Sequence, residues 1–361
     1  MTAGVAPTAR RRAQFTSGPA PLDMWEEVFA RADRALPSQA PTWLRCVCAV
    51  DGLEDATRLY QTADGRRLVL PLVRRSRLGR LASTLDSLPT GWGPAGLLSD
   101  SGLITPDDVA MVFADLAGQA FRVTVRPDPA YASIWDDGIP EGVTRQPLTA
   151  HTLSLEGGFD EVWRRRFRSD TRTRVRRAER AGVTVEHDDT GRLVPVFQDL
   201  YAKSVDRWAR QEGQPLALAR YRSRRREPAG KLPTVASVFG TRCRIYVASV
   251  DERPAAAIVV LHGTHTAAYW RGAMDDEVAG RTYANYLLHR TAIEDAVTAG
   301  CANYNMGDSA PGSPLALFKS RFGAVEQNYA SYRLERIGVT AAADRLRGRI
   351  GTALKRRRGR R

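Results

Sequence analysis

Cysteine, histidine and long apolar runs are all scarce in this chain. Its four cysteines, Cys46, Cys48, Cys243 and Cys301, are too few and too unpatterned for a disulfide framework. Cys46 and Cys48 stand two apart, which is not a metal-knuckle spacing, and the five histidines are scattered, so no zinc site is predicted. No stretch approaches the roughly 20 apolar residues that a membrane-spanning helix needs. Arg10, Arg11 and Arg12 are followed by no apolar run, so no signal peptide is predicted and a cytoplasmic location is expected. No Ser-His-Asp or Cys-His constellation is readable, and no heptad pattern is sustained. Acidic residues are outnumbered: 40 against 54 Lys and Arg, a net charge of +14. That excess points to an anionic partner, whether nucleic acid, a phosphorylated cofactor or an acidic membrane. The competing account is a composition rich in arginine, with exposed side chains that bind nothing.

What is present suits a folded α/β protein. An apolar content of 43% supports a core, and 361 residues suit two domains or one large one. Residues 1–21 are expected to be a disordered lead. Helical spacing of Trp25, Val28, Phe29 and Ala32 predicts a helix from Leu22, and a second follows Pro37 through Trp43, Leu44 and Val47. Asp64-Gly65, between two apolar stretches, predicts a hairpin. Gly91–Gly96 lacks phosphate-loop spacing and is expected to be a shaped loop. Thr105-Pro106-Asp107-Asp108 has the cap, the proline and the acids of a helix start. Further on, three segments, Arg244–Val250, Ala255–Leu261 and Thr266–Ala273, predict an antiparallel meander. Its middle run is apolar throughout, as a strand covered on both faces requires.

The most informative stretch is Thr282–Gly323. Ala284, Leu287, Leu288, Thr291, Ala292 and Val297 give a buried helical face, and Gly300 suits the residue after its end. Cys301–Met306 predicts a strand, Gly307–Pro314 a polar loop and Leu315–Phe322 another helix. Sites in open α/β sheets form at strand C-terminal ends, which is where Asp308 and Ser309 fall. The string Asn285-Tyr286-Leu287-Leu288, Gly300, Tyr304-Asn305-Met306-Gly307-Asp308, Phe318-Lys319 and Phe322-Gly323 resembles the FemAB-like branch of the GNAT acyltransferase superfamily. So does Arg176-Arg177-Ala178-Glu179-Arg180-Ala181-Gly182-Val183 before a predicted strand. This branch includes aminoacyl-tRNA-dependent peptidoglycan bridge enzymes and acyl-CoA-type relatives.

The resemblance implies two tandem GNAT-like domains with helices flanking mostly antiparallel sheets, over residues 22–150 and 151–336. It implies an acyl donor entering a gap between two splayed strands, with acyl-CoA or aminoacyl-tRNA as co-substrate and no tightly bound cofactor. In the family the Phe-Lys pair, here Phe318 and Lys319, lies at the acyl-transfer site. The usual pyrophosphate loop is absent in full form, and its place is held by Val278–Ala284. Gly280, Arg281 and Asn285 are the donor-binding candidates there. The coiled-coil arm of the bridge enzymes is missing, which favours acyl-CoA over aminoacyl-tRNA.

Acyl transfer needs a deprotonated acceptor, a held oxyanion and an oriented donor. Asp308 is the candidate for taking a proton or gripping an ammonium, Lys319 for the oxyanion, and Phe318 for shaping the pocket. Tyr269, Trp270, Tyr304 and Ser309 are expected to line the substrate site. His289 is expected to be structural. A helix running from Phe159 carries nine arginines from Arg164 to Arg180, and Arg172 and Arg176 are candidates for binding a phosphate-bearing substrate or tRNA. Arg220–Lys231 is expected to be a basic loop. In residues 337–361, Leu346, Ile350 and Leu354 among arginines predict a basic amphipathic helix, suited to an anionic membrane or nucleic acid. The expected function is acyl transfer to an amine or hydroxyl of a cell-envelope or natural-product precursor, lipid-linked acceptors included. A non-catalytic nucleic-acid or membrane-binding module is the alternative.

Overall fold

The computed structural model describes residues 14–76 and 83–336. The predicted basic tail lies outside the described residues. In chain order the first half runs β1 (Gln14–Ser17), α1 (Leu22–Arg31), α2 (Pro41–Asp51), β2 (Glu54–Asp55), β3 (Arg58–Gln61), β4 (Arg67–Leu70), β5 (Val73–Arg75), β6 (Thr84–Asp86), β7 (Leu98–Ser99), α3 (Pro106–Leu116), β8 (Arg122–Val125), α4 (Ala132–Gly138) and β9 (Thr144–Ser154). The second half runs α5 (Gly158–Glu161), a π turn (Val162–Arg166), α6 (Ser169–Arg180), β10 (Thr184–Asp188), α7 (Val194–Glu212), α8 (Leu216–Arg226), α9 (Lys231–Phe239), β11 (Cys243–Val250), β12 (Arg253–His262), β13 (Thr266–Met274), α10 (Asp276–Thr282), α11 (Ala284–Thr298), β14 (Asn303–Asp308), α12 (Pro314–Arg321) and β15 (Val325–Glu335).

An eleven-stranded mixed sheet crosses both halves in the order β10-β11-β12-β13-β14-β9-β15-β8-β6-β5-β2, beside a four-stranded sheet β1-β3-β4-β7. Among the described residues only β13/β14 and β6/β8 pair in parallel, and each pair is joined through at least one helix. The two halves therefore repeat one scheme: a parallel pair, a helix, then a final long strand. The final strands are exchanged. β9 of the first half pairs with β14, and β15 of the second half pairs with β8, while β9 and β15 pair with each other. The division expected at residue 150 falls inside β9.

Alternation along β12 explains its apolar run. Ala257, Val259 and Leu261 pack toward α1, α2, α7 and α9, whereas Ala256, Ile258 and Val260 pack toward α6 and α11. A third core joins Leu85, Val123 and Tyr332 of the sheet to α3 and Trp135 of α4.

Three expectations are corrected. Part of the supposed disordered lead is β1, paired with β3, and Ala20 is buried. The arginine helix is not continuous, because the chain is extended at Phe167 and Arg168 between the π turn and α6. There the Phe167 side chain enters the core, and the Arg168 N–H and the Thr171 hydroxyl both donate to the Arg321 carbonyl at the end of α12, at 3.0 and 2.9 Å. The supposed basic loop is largely α8, a helix with no buried face, so it shows no apolar period in sequence. Its placement comes from packing on α7 and from the Arg220–Asp206 ion pair.

Candidate active site

The parallel pairing of β13 and β14 lasts only from Thr266↔Asn303 to Ala268↔Asn305. From Tyr269 onward β13 has no partner on that side. A β-bulge is the local cause: Val260 faces Tyr269 and Val259 faces Arg271, leaving Trp270 as the extra residue. The gap so opened is bounded by the end of β14 and by the start of α11. Asn285, in the first turn of α11, donates to Met274 Sδ at 2.7 Å and ties the helix to the far end of β13. Tyr283 precedes α11 with φ 57°, a left-handed conformation that a tyrosine adopts only under local constraint. In the first turn of α11 the Tyr286 N–H already donates to the Tyr283 carbonyl, at 2.9 Å.

α12 closes the other side. Ser313 caps it by accepting from Ala316 N at 3.2 Å, with Pro314 at the first position. Phe318 and Phe322 pack on Tyr286 and His289 of α11, with ring centroids 5.1 to 5.8 Å apart. The chain then turns at Gly323, φ +84°. A side chain there would begin 2.5 Å from the Arg166 carbonyl oxygen, so only glycine fits. This close approach is the physical content of the Phe-Gly pair in the sequence.

The packing drives Lys319 inward. It is 1% exposed, and its ammonium donates to the Gly307 and Asp308 carbonyls, both at 2.8 Å. Burial pulls its pKa down to about 8, against a smaller upward pull from Asp308. An ammonium has three N–H donors, so one remains after these two bonds. His289 lies behind it in an aromatic cage, 4.8 Å from the Tyr269 ring, and burial lowers its pKa to about 3. The imidazole is therefore uncharged near neutral pH.

Residues 165–313 match the family model described as an acetyltransferase (GNAT) domain. The chain thus carries a GNAT-type acyltransferase domain over those residues. Its fold is similar to that of FemX, at TM-score 0.64 and 11% identity over 89% of this chain and 97% of that one. It is also similar in fold to the C-terminal domain of a putative lysylphosphatidylglycerol synthetase from Agrobacterium fabrum (TM-score 0.52, 14% identity, 90% and 94% covered). L-PGS from Bacillus licheniformis is a third such structure (TM-score 0.50, 13% identity, 90% and 95% covered). A comparison with curated protein sequences found no match. Among the described residues of the acyltransferase, no helix is long and apolar enough to cross a membrane and no cluster could hold a metal ion.

The acyltransferase gathers some of the expected residues and disperses others. Lys319 bonds the Gly307 and Asp308 carbonyls at the end of β14, Phe318 packs on His289 beside Tyr269, and Ser309 bonds to Thr149 and His151 of β9. Asp308 is not free: Tyr329 donates to both its oxygens, at 2.9 and 3.0 Å, and Arg126 forms an ion pair with it. Trp270 lies on the opposite face from Tyr269, packed on Trp43 and Trp92, and donates to the Gly91 carbonyl at 3.2 Å. Tyr304 is fully buried in the core and lines no site. Arg172 donates to the carbonyls of Trp163, Arg164 and Phe167, so it caps the π turn rather than facing a phosphate. Arg176 is exposed. Gly280 and Arg281 lie in α10, exposed and short of the α11 amides.

Sequence reasoning missed Arg126, His151, Glu326 and Tyr329, which reach the site only through the strand exchange. It also missed a cavity of about 450 Å³ between α7, α8 and α9, lined by Phe197, Tyr201, Val205 and Leu232. Arg271, next to the β13 bulge, reaches into it and pairs with Glu227. Lys231, nearly fully buried over the Trp92 ring at 4.3 Å, pairs with the same Glu227 oxygen at 3.3 Å.

Proposed function

We propose that this acyltransferase binds its donor in the gap between β13 and β14 and passes the acyl group across the Lys319 ammonium. The observation that carries this reading is Lys319 itself. It is a buried cation with one uncommitted N–H beside the unpaired strand edge, where a developing oxyanion gains most from a fixed donor. Main-chain groups of β13 between Tyr269 and Ala273 that lack a strand partner, the Arg271-bonded Trp270 carbonyl excepted, would hold the donor's amide chain, and the α11 amides its phosphates. Acyl-CoA is the donor this arrangement favours. The acceptor, an amine or hydroxyl of small-molecule size, would enter from the cavity beside Arg271, whose volume suits such a ligand. Arg220 and Arg224 at its rim favour an acceptor bearing an anionic group, as cell-envelope and many natural-product precursors do.

An aminoacyl-tRNA donor is the second reading. It is favoured by the arginines around the α11 start, where Arg174 and Arg321 both hold the Tyr286 hydroxyl. Thermal unfolding with an acyl-CoA panel, beside charged and uncharged tRNA, tests the pair. A donor at 100 times its dissociation constant adds about 2.7 kcal/mol to the folded state. Stabilisation by acyl-CoA alone supports the first reading, and stabilisation by charged tRNA alone the second. Silence from both removes the donor site from the gap.

A further inference from the structure

The bulge at Trp270 inverts the facing of β13. Before it, Ala267 and Tyr269 pack with the core under α6 and α11. Beyond it, Ala273 packs with the core of α1, α2, α7 and α9, and Met274 turns back toward α11. Trp270 and Arg271, consecutive in the strand, therefore reach the same side, and both end on one atom of the first half. Trp270 Nε1 donates to the Gly91 carbonyl at 3.2 Å, Arg271 Nη2 donates to it as well, and Lys231 Nζ is a third donor, at 3.5 Å. Arg271 Nη1 also donates back to the Trp270 carbonyl at 2.9 Å, which ties the bulge together.

The Gly91 carbonyl is itself held in place. Gly91 has φ +92°, a left-handed conformation, and a Cβ there would begin 3.2 Å from Arg271 Nη2. Trp92 is 1% exposed. Its Nε1 donates to Asp51 at the end of α2, at 2.8 Å, and its carbonyl accepts from Trp43 Nε1 at 2.9 Å. Trp43, Trp92 and Trp270 pack ring to ring, with centroids 5.0 to 6.0 Å apart. The β12–β13 ladder has less to say about where the extra residue falls. Its flanking pairs, Ala257↔Ala273, Ile258↔Gly272 and Leu261↔Ala268, put small residues on β13, and these do little to fix a register. Trp270 is the large side chain of the bulge, and its seat is built by the first half. A slip of one residue would turn the side chains beyond it to the opposite face and change which main-chain groups line the gap.

We infer that the Gly91 carbonyl is a latch: it fixes the bulge at Trp270 and so the shape of the donor gap. Trp270 is then a positioning residue for the donor, and the glycine loop Gly91–Gly96 couples the first half to a site in the second. The inference rests on the donor reading above for what fills the gap.

Two variants of the whole chain test the latch, and a third is the control. Trp270→Phe keeps a ring in the cluster and removes its N–H. Gly91→Ala forces a side chain onto a left-handed backbone beside Arg271. Gly65→Ala, in the β3–β4 hairpin at φ +90° with open space around it, carries the same backbone strain in the other sheet. Binding of acetyl-CoA is measured by calorimetry, and hydrogen exchange over β12, β13 and β14 by mass spectrometry. The dissociation constant should rise about tenfold in Trp270→Phe, the size of one lost hydrogen bond. It should rise at least as much in Gly91→Ala and keep the wild-type value in Gly65→Ala. Exchange should quicken between Tyr269 and Met274 in the first two variants and stay at the wild-type rate there in the control. A contact that merely stabilised the fold would loosen the second half evenly and leave the affinity of the folded protein unchanged. Wild-type affinity in Trp270→Phe, or β13 exchange that neither variant alters, overturns the latch. A wild-type chain that binds no acetyl-CoA counts against the donor reading alone, and the latch then stands or falls on exchange in β13.

Discussion

Replacing Lys319 by methionine separates its chemistry from its packing. Methionine matches the length of the stem and carries no charge. The Lys319 pKa falls from 10.5 to about 8 on folding, which corresponds to about 3 kcal/mol by which burial disfavours the charged form near neutral pH. Methionine removes that penalty. It also removes the bonds to the Gly307 and Asp308 carbonyls, each worth about 1.5–3 kcal/mol with a charged donor. The opposing contributions largely offset each other, so Lys319→Met should lower stability by no more than about 3 kcal/mol at pH 7. Transfer should fall by about 10²–10³, the effect of losing one oxyanion donor. The sign of the pH dependence follows from a depressed base. Between the folded and unfolded pKa the unfolded chain binds the extra proton, so wild-type stability rises as pH goes from about 8 to 10.5. Urea unfolding of both proteins across that range should show the wild type gaining up to about 3 kcal/mol relative to Lys319→Met. Full transfer activity in the variant, or an identical pH profile of stability, would refute this account of the site.

Gly323→Ala should destabilise by about 3 kcal/mol or more in chemical denaturation, since its Cβ would begin 2.5 Å from the Arg166 carbonyl oxygen at φ +84°. The buried His289, whose pKa falls from 6.5 to about 3, contributes stability that is complete above pH 6.5 and is lost as pH falls toward 3. His289→Phe should flatten that part of the acid-unfolding curve. Arg172→Ala should lower stability by about 2 kcal/mol by leaving carbonyls of the π turn unbonded, without changing donor-induced thermal shifts. Arg176→Ala should leave stability within about 0.5 kcal/mol, because the side chain is exposed.

Elements with a strong local period were legible in the sequence. The hairpin β3–β4, the helix capped at Thr105, the meander β11–β13 and the succession α11–β14–α12 all formed where the pattern put them. The Phe-Lys and Phe-Gly pairs have close-range physical reasons: a lysine pulled under its helix and a glycine pressed on a carbonyl. What stayed hidden depends on distant contacts. The break at Phe167 is imposed by the Arg321 carbonyl, more than 150 residues later. Arginines from Arg164 to Arg180 looked uncompensated, yet Arg164, Arg165 and Arg174 each have an acid one turn back, and Arg172 is held by carbonyls. α8 has no apolar face to betray it. His151 is a single histidine in a strand, and nothing local distinguishes it from a core residue.

The strand exchange explains why the hidden half of the site is all of one kind. β14 ends the second half's parallel pair, but its next neighbour is β9, which the first half supplies. β15 returns across β9 to reach β8. Thus Asp308 and Ser309, at the end of β14, meet His151 from β9, Glu326 and Tyr329 from β15, and Arg126 from just past β8. A second half folded alone would keep Lys319, Phe318 and the gap between β13 and β14. It would lose Arg126 and His151 and leave Asp308 and Ser309 without those partners, beside an unpaired strand edge. The exchange therefore does more than join two similar halves. It places the first half's side chains at the end of the second half's gap, so that the charge state of the site depends on both halves being folded together.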